Sequence, residues 1–203
     1  YESKEYTTKS FYRVLQEWIG DRILIDKTPS YALDLETLKK AERDFENALY
    51  IHLIRHPYST IGSFESMHMD QVLFLYDHPF TRRELGELVW TISHQNILGF
   101  LKFIPENRQF CIAFEDLTSK TREVMETMCQ RLRLEFHIDM LCPYKDKESK
   151  MTDGIYPESI PMGDIRFHEY REIKPEIADT WKRVNIDNFL GDVTWEVAEA
   201  LGY

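Results

Sequence analysis

The chain has 203 residues, with 25 Lys plus Arg against 35 Asp plus Glu and a net charge of −10. Its 43% hydrophobic and 30% charged residues exclude a disordered, collagen-like or coiled-coil chain. The acidic balance argues against bulk binding of nucleic acid, whose affinity comes from Lys and Arg on phosphates, and against an anionic membrane, yet leaves room for one small anion in a local basic pocket.

The elements follow in chain order. Residues 8–19 place Phe11, Val14, Leu15, Trp18 and Ile19 at helical spacing, closed by Gly20. The apolar run 22–25 (RILI) predicts a short buried strand. Pro29 in DKTPSY stops that strand, and Asp34 can cap a helix through about residue 45. LYIHLI at 49–54 is the strongest strand signal, and Pro57 suits the first turn of the next helix. Thr81 with Glu84 forms a capping box for a long helix whose apolar face runs from Leu85 to Ile104. FCIAF at 110–114 predicts another buried strand, followed by a helix over about 121–132. Residues 142–173 have no clear period and predict a long loop. Two helices follow, one opening near Pro175 and one over about 188–201.

Short apolar strands alternating with helices predict an α/β fold with a mainly parallel sheet. At about 150 residues per domain, the length predicts a single domain over 1–203. Such sheets bind ligands at the carboxyl ends of their strands, where DKTPSY and RHPYSTIGS both fall. No apolar stretch approaches the roughly 20 residues of a membrane-spanning helix, and no signal peptide is expected. Cys111, Cys129 and Cys142 form no C-x-x-C pair, which predicts small buried thiols in a reduced, cytoplasmic protein. The chain begins at Tyr1 rather than Met, so it is expected to be part of a longer polypeptide.

In LYIHLIRHPYSTIGS the strand delivers Arg55 to its end as a helix begins. Arg offers a planar fork of donors that matches phosphate, the helix start adds free N–H groups, and Ser63 adds a hydroxyl two turns on. One phosphate would fit there; an Arg paired with a nearby carboxylate is the alternative. Lys27, at the neighbouring strand end, could neutralise an anion or simply be solvated. No metal-ligand spacing emerges: His52 and His56 are four apart, but a strand and a turn put them off one face.

Strand-DKTPSYA followed by strand-RHPYSTIGSF resembles the sulfotransferases that use 3′-phosphoadenosine 5′-phosphosulfate (PAPS) and release 3′-phosphoadenosine 5′-phosphate (PAP). The resemblance implies that Arg55 and Ser63 bind the 3′-phosphate and that Lys27 lies near the sulfuryl group. It continues through Trp90, His94-Gln95-Asn96, an IP-x-x-R turn at 104–108 and FEDL at 114–117, where Phe114 would lie by the adenine. The C-terminal part, with MTDGIYPESIPMGDIRFHEYREI and GDVTWEVAEALGY, is most similar to sulfotransferase domains embedded in modular polyketide synthases. Those domains sulfonate a β-hydroxyl on an acyl chain held by an acyl carrier protein. The resemblance implies that carrier and the neighbouring synthase domains as partners, and a loop (142–173) closing over the nucleotide with Gly163, Asp164 and Arg166 as contacts.

The family's first strand, its P-R-S-G-T-T-like phosphate loop and the helix after it have no counterpart in 1–203, so the domain is expected to be N-terminally incomplete. The general base is open among His68, His94 and His168, each of which could equally be structural. Phe64, Met67, Met69, Phe74, Tyr76 and Trp90 could line an acyl tunnel or form ordinary core. Lys145, Lys147 and Lys150 could meet an acidic carrier or be a solvated run. A secretory-pathway carbohydrate or protein sulfotransferase, and an inactive nucleotide-fold docking module, are the alternative readings.

Overall fold

The computed structural model describes residues 5–73, 78–150, 167–183 and 188–203. Helix α1 spans Thr8–Ile19 and starts where the Thr7 hydroxyl accepts from the Ser10 N–H; it ends at Gly20, whose φ of 64° is a left-handed value that Gly takes without strain. Its apolar face stays largely open, with Trp18 60% exposed. Helix α2 (Leu35–Asp44) starts at Asp34, whose side chain accepts from the Glu36 N–H at 3.1 Å. Strand β1 (Tyr50–Ile54) leads into α3 (Pro57–Ser66) and the short α4 (Asp70–Leu73). Helix α5 (Arg82–Leu101) opens with the expected capping box. Strand β2 (Gln109–Ala113) pairs with β1 in a two-stranded sheet, a parallel pairing that makes the fold α/β. Helices α6 (Phe114–Ser119) and α7 (Thr121–Leu132) follow, and α8 (Asp192–Ala200) closes the chain.

Contacts group the chain into two units. The first is Tyr1–His52, Thr60–Cys111 and Phe189–Tyr203; the second is Leu53–Ser59 and Ile112–Asn188. In the first unit α5 packs on α2, α8 and the 3₁₀ turn Pro29–Leu33. Trp90, Val197 and Ala198 form its core with Leu98, Trp195, Leu201 and Tyr203 around them. Gly86 lets the helices meet closely: a Cβ there would lie 3.2 Å from Phe64 Cδ1 and 3.3 Å from Ile61 Cγ2. In the second unit α6 packs on α7 and on the 3₁₀ turn Pro175–Ile177, and α7 packs on the 3₁₀ turn Ile138–Leu141.

Four expectations are corrected. Residues 22–25 form no strand, and Ile25 is 70% exposed. Apolar, β-branched residues predict an extended backbone but cannot supply a neighbouring strand. Instead the Gln16 side-chain amide donates to the carbonyls of Gly20 (2.6 Å) and Arg22 (3.1 Å). The helix expected from Pro175 is only the 3₁₀ turns Pro175–Ile177 and Thr180–Arg183. Phe114 opens helix α6 rather than ending strand β2. Of the three cysteines, Cys129 is buried, while Cys111 and Cys142 are exposed; all three are free thiols. The described ends of the 142–173 segment carry 3₁₀ turns at Lys147–Ser149 and Phe167–Glu169. Gly163, Asp164, Arg166, Phe74 and Tyr76 lie outside the described residues.

Candidate functional site

In the second unit, the carboxyl end of β1 presents Arg55. Its guanidinium lies 4.4 Å from the centroid of the Phe114 ring, a cation–π distance. Phe114 is placed there because it is the first residue of α6, directly after β2. The next residue, Glu115, accepts from the His56 backbone N–H through Oε1 at 3.0 Å, which fixes the turn between β1 and α3. The His56 ring stacks on Trp181 at 3.7 Å and 5°, and on Tyr58 at 5.5 Å and 22°. The Tyr58 hydroxyl in turn donates to Asn188 Oδ1 at 3.1 Å. Burial lowers the His56 pKa, partly opposed by the Glu115 carboxylate, so this stack is an uncharged aromatic tier beside a fixed cation. A guanidinium over a ring presents a planar fork of donors, a geometry suited to phosphate.

In the first unit, Lys27 is exposed on the extended stretch before the 3₁₀ turn Pro29–Leu33. Two anchors hold that turn. Asp26 accepts from the hydroxyls of Tyr12, Tyr31 (3.1 Å) and Thr28 (3.2 Å), and Asn96 Nδ2 on α5 donates to the Ala32 carbonyl at 2.9 Å. The Asp26 bond and burial raise the Tyr12 pKa, so that phenol stays protonated. Ser63 is half-buried on α3 and its hydroxyl donates to Met67 Sδ at 3.6 Å.

The three histidines read as candidate bases sit in different settings. His94, on α5, is 8% exposed; its Nδ1 lies 2.8 Å from Nε2 of His52 on β1. The Trp90 ring meets His94 edge-on at 4.5 Å. His68 is exposed after α3 with a φ of 52°. His168 lies in the second unit, in the 3₁₀ turn Phe167–Glu169, with its ring edge-on to Phe167 at 5.4 Å.

Two broader expectations resolve. Phe64 and Trp90 are buried in the core, Phe64 packing on Gly86 and Trp90 on α8. The lysines make bonds within their own unit, although Lys145 and Lys150 remain exposed. Lys145 pairs with Asp139 at 3.1 Å, and Lys150 Nζ donates to the Pro143 carbonyl at 3.0 Å. Lys147 Nζ donates to the carbonyls of His168 (2.5 Å) and Tyr170 (3.1 Å). Arg108, the Arg of the IP-x-x-R turn, is structural: it grips Glu42 with two bonds at 3.1 and 2.5 Å and holds the Ala48 carbonyl at 3.2 Å. That grip lowers the Glu42 pKa.

Sequence reasoning missed Glu115, Trp181, Asp26 and the His52–His94 bond. Glu115 had a signal, because it follows Phe114 directly in FEDL. The histidine pair, 42 residues apart, had none. Among the described residues no group of three or more His, Cys, Asp or Glu could hold a metal ion, and no helix is long and apolar enough to cross a membrane.

A family model described as Sulfotransferase family matches residues 2–138. The solved structure of the "Sulfotransferase Domain from the Curacin Biosynthetic Pathway" is 35% identical, with a TM-score of 0.85 over 96% of this chain and 68% of that one. The "Sulfotransferase Domain from the Synechococcus PCC 7002 Olefin Synthase" is 31% identical, with a TM-score of 0.78 over 96% of this chain and 64% of that one. The chain thus spans about two thirds of each of those chains. No curated protein matches significantly. A family match over more than half of the residues, joined by two structural matches above 30% identity, settles the assignment: the chain belongs to the sulfotransferase family.

Proposed function

We propose that the chain is a PAPS-dependent sulfotransferase domain of a cytoplasmic polyketide-type synthase. Its acceptor is the β-hydroxyl of an acyl chain on an acyl carrier protein, and its partners are that carrier and the neighbouring synthase domains. The observation that carries this reading is Arg55 at the end of β1, held on the face of Phe114 in a chain with two synthase- or pathway-derived structural relatives.

The residues fit a nucleotide. A fixed cation, an aromatic plane and a helix opening at Pro57 are what a phosphate next to an adenine requires. PAPS would supply the activated sulfuryl group. Arg55 and Ser63 would hold its 3′-phosphate, Phe114 would lie by the base, and Lys27 would stabilise charge near the transferred group. Gly163, Asp164 and Arg166, outside the described residues, would contact the nucleotide as the resemblance implies. Sulfuryl transfer, like phosphoryl transfer, depends on positioning and on charge stabilisation, with a general base for the acceptor hydroxyl. Among the three candidate histidines we assign the base to His94, whose ring is fixed on two sides by His52 and Trp90.

The test is ligand-induced stabilisation. PAP should raise the melting temperature, and Arg55→Ala should weaken PAP about ten- to a hundredfold, the size of a lost bond to a charged group. Mass spectrometry of a β-hydroxyacyl carrier protein incubated with PAPS should show one added sulfuryl group. A chain extended upstream that neither binds PAP nor transfers sulfate overturns the reading.

A further inference from the structure

Strand β1 and helix α5 bury two histidines against each other. His52 is 5% exposed and His94 8% exposed, with rings 5.0 Å apart and Nε2 of His52 2.8 Å from Nδ1 of His94. A hydrogen bond between two neutral imidazoles holds one proton, on one nitrogen or the other. The choice sets the character of the remaining nitrogen of His94. A proton on His94 Nδ1 leaves Nε2 as a bare lone pair. A proton on His52 Nε2 forces the other proton of His94 onto Nε2 and makes it a donor.

We propose that His52 is the positioning residue of His94: its Nε2 accepts the hydrogen bond from the His94 Nδ1–H and so leaves His94 Nε2 as the basic nitrogen. This rests on the assignment of His94 as general base. His52 then acts as the orienting partner of a catalytic imidazole, in the place a carboxylate takes in many triads. In the transfer step the acceptor O–H bond breaks and its proton moves to His94 Nε2. The oxygen's electron pair forms the new bond to sulfur as the sulfur–oxygen bond to the leaving phosphate breaks with its pair. The resulting His94 imidazolium keeps its Nδ1–H bond to His52 and later loses the proton to water.

With a neutral partner, the base is expected to show no acidic limb near neutral pH. Among the described residues no carboxylate shifts the pair. Glu87, on the same helix as His94, is committed to the Gly191 N–H (2.7 Å) and the Thr194 hydroxyl (2.6 Å). The acids of α8, Asp192, Glu196 and Glu199, are exposed. Near β1, Tyr50 donates to Glu42, which Arg108 holds, and Cys111 is exposed on β2. Tyr31 of the 3₁₀ turn packed on α5 is committed to Asp26. Burial therefore dominates, taking His94 down to about 3 and His52 to about 4, and charge on His52 lowers His94 further.

Nitrogen-15 NMR of the chain labelled in histidine reads the tautomer without any substitution. His94 should show a proton on Nδ1 and a bare Nε2 from pH 8 to pH 5; a proton on Nε2 overturns the proposal. In sulfate transfer, His52→Phe should lower kcat about ten- to a hundredfold, as orienting partners do, with the acceptor KM within about twofold. His52→Gln, whose amide oxygen can accept from Nδ1, should recover part of the loss. His52→Glu should move the acidic limb of kcat upward, a shift that a purely structural role would not produce. Unchanged kcat in all three variants overturns the proposal. PAP binding by the same proteins separates the outcomes: if PAP binds and the tautomer is wrong, only the histidine proposal fails, whereas a wild-type chain that neither binds PAP nor transfers sulfate fails the sulfotransferase reading itself.

Discussion

The two units hold their functional side chains in opposite ways. In the first, a 20-residue helix (α5) carries Trp90, His94 and Asn96 and is locked on several sides by buried groups. In the second, Arg55, His56 and Trp181 are held by ring contacts and by turns of three or four residues. A long amphipathic element fixes its side chains through a shared core. Short turns fix theirs one bond at a time, so a single substitution should act locally there and globally in the first unit.

The sharpest way to break that contrast is at the core of the first unit. Trp90 is 2% exposed and packs on Val197 and Ala198. Trp90→Ala should cost about 3–5 kcal/mol in urea unfolding, the range for a large aromatic removed from a core. It should also free the His94 ring, whose edge contact it removes. A loss below about 1 kcal/mol would mean that α5 is not the organising element.

Acid should act next most strongly, again on the first unit. His52 and His94 titrate at about 4 and about 3 when folded, against about 6.5 unfolded. Below pH 6.5 the unfolded chain binds protons that the folded chain refuses, so stability falls with pH. An unfolded histidine goes from half to nearly fully protonated over that unit of pH, about 1 kcal/mol each, so the pair should lose about 2 kcal/mol between pH 6.5 and 5.5. The stability they contribute is present above 6.5 and lost as pH falls toward 4. Urea midpoints that stay constant from pH 7 to 5.5 would contradict the burial of the pair.

What could be read from the sequence follows the same division. The capping box, the Asp34 cap, the strand at 50–54, α7 and the Arg55–Phe114 neighbourhood were legible, because spacing or family pattern encodes each of them. The strand expected at 22–25 was not, since pairing depends on a neighbour that local apolarity does not specify. The helix expected from Pro175 shortened to 3₁₀ turns for a related reason: Pro marks a start but not a length. The His52–His94 bond joins residues 42 apart, and no local pattern reports a contact at that distance. Arg108 was quoted as part of a motif, and only its bonds to Glu42 and Ala48 identify it as structural.

A smaller effect should separate the second unit. Lys147 bonds the carbonyls of His168 and Tyr170 and so ties residues 142–150 to 167–170. Lys147→Met keeps the stem and removes the donor, leaving two carbonyls without it. The cost should be about 1–3 kcal/mol, the penalty for polar groups left unpaired. Limited proteolysis should quicken between residues 142 and 173, while the His94 tautomer stays as it is. A variant that unfolds as a whole would show that the units do not respond separately.

The mildest test returns to α5 at its exposed start. Thr81 Oγ1 accepts from the Glu84 N–H at 3.3 Å, and Glu84 Oε2 accepts from the Thr81 N–H at 2.7 Å. The Thr81 N–H and the Thr81 hydroxyl, which donates to the same Oε2 at 2.9 Å, lower the Glu84 pKa, so the carboxylate remains charged near a helix N-terminus, where the dipole favours it. Thr81→Ala should cost about 1 kcal/mol and Thr81→Ser very little, since the serine hydroxyl caps as well. The loss should appear in urea unfolding but not in PAP binding or in the His94 tautomer, because His94 lies more than three turns further along the helix and is held by β1 rather than by the cap. If Thr81→Ala alters the tautomer, the rigidity of α5 comes from its first turn rather than from its buried face, and the contrast between the two units weakens accordingly.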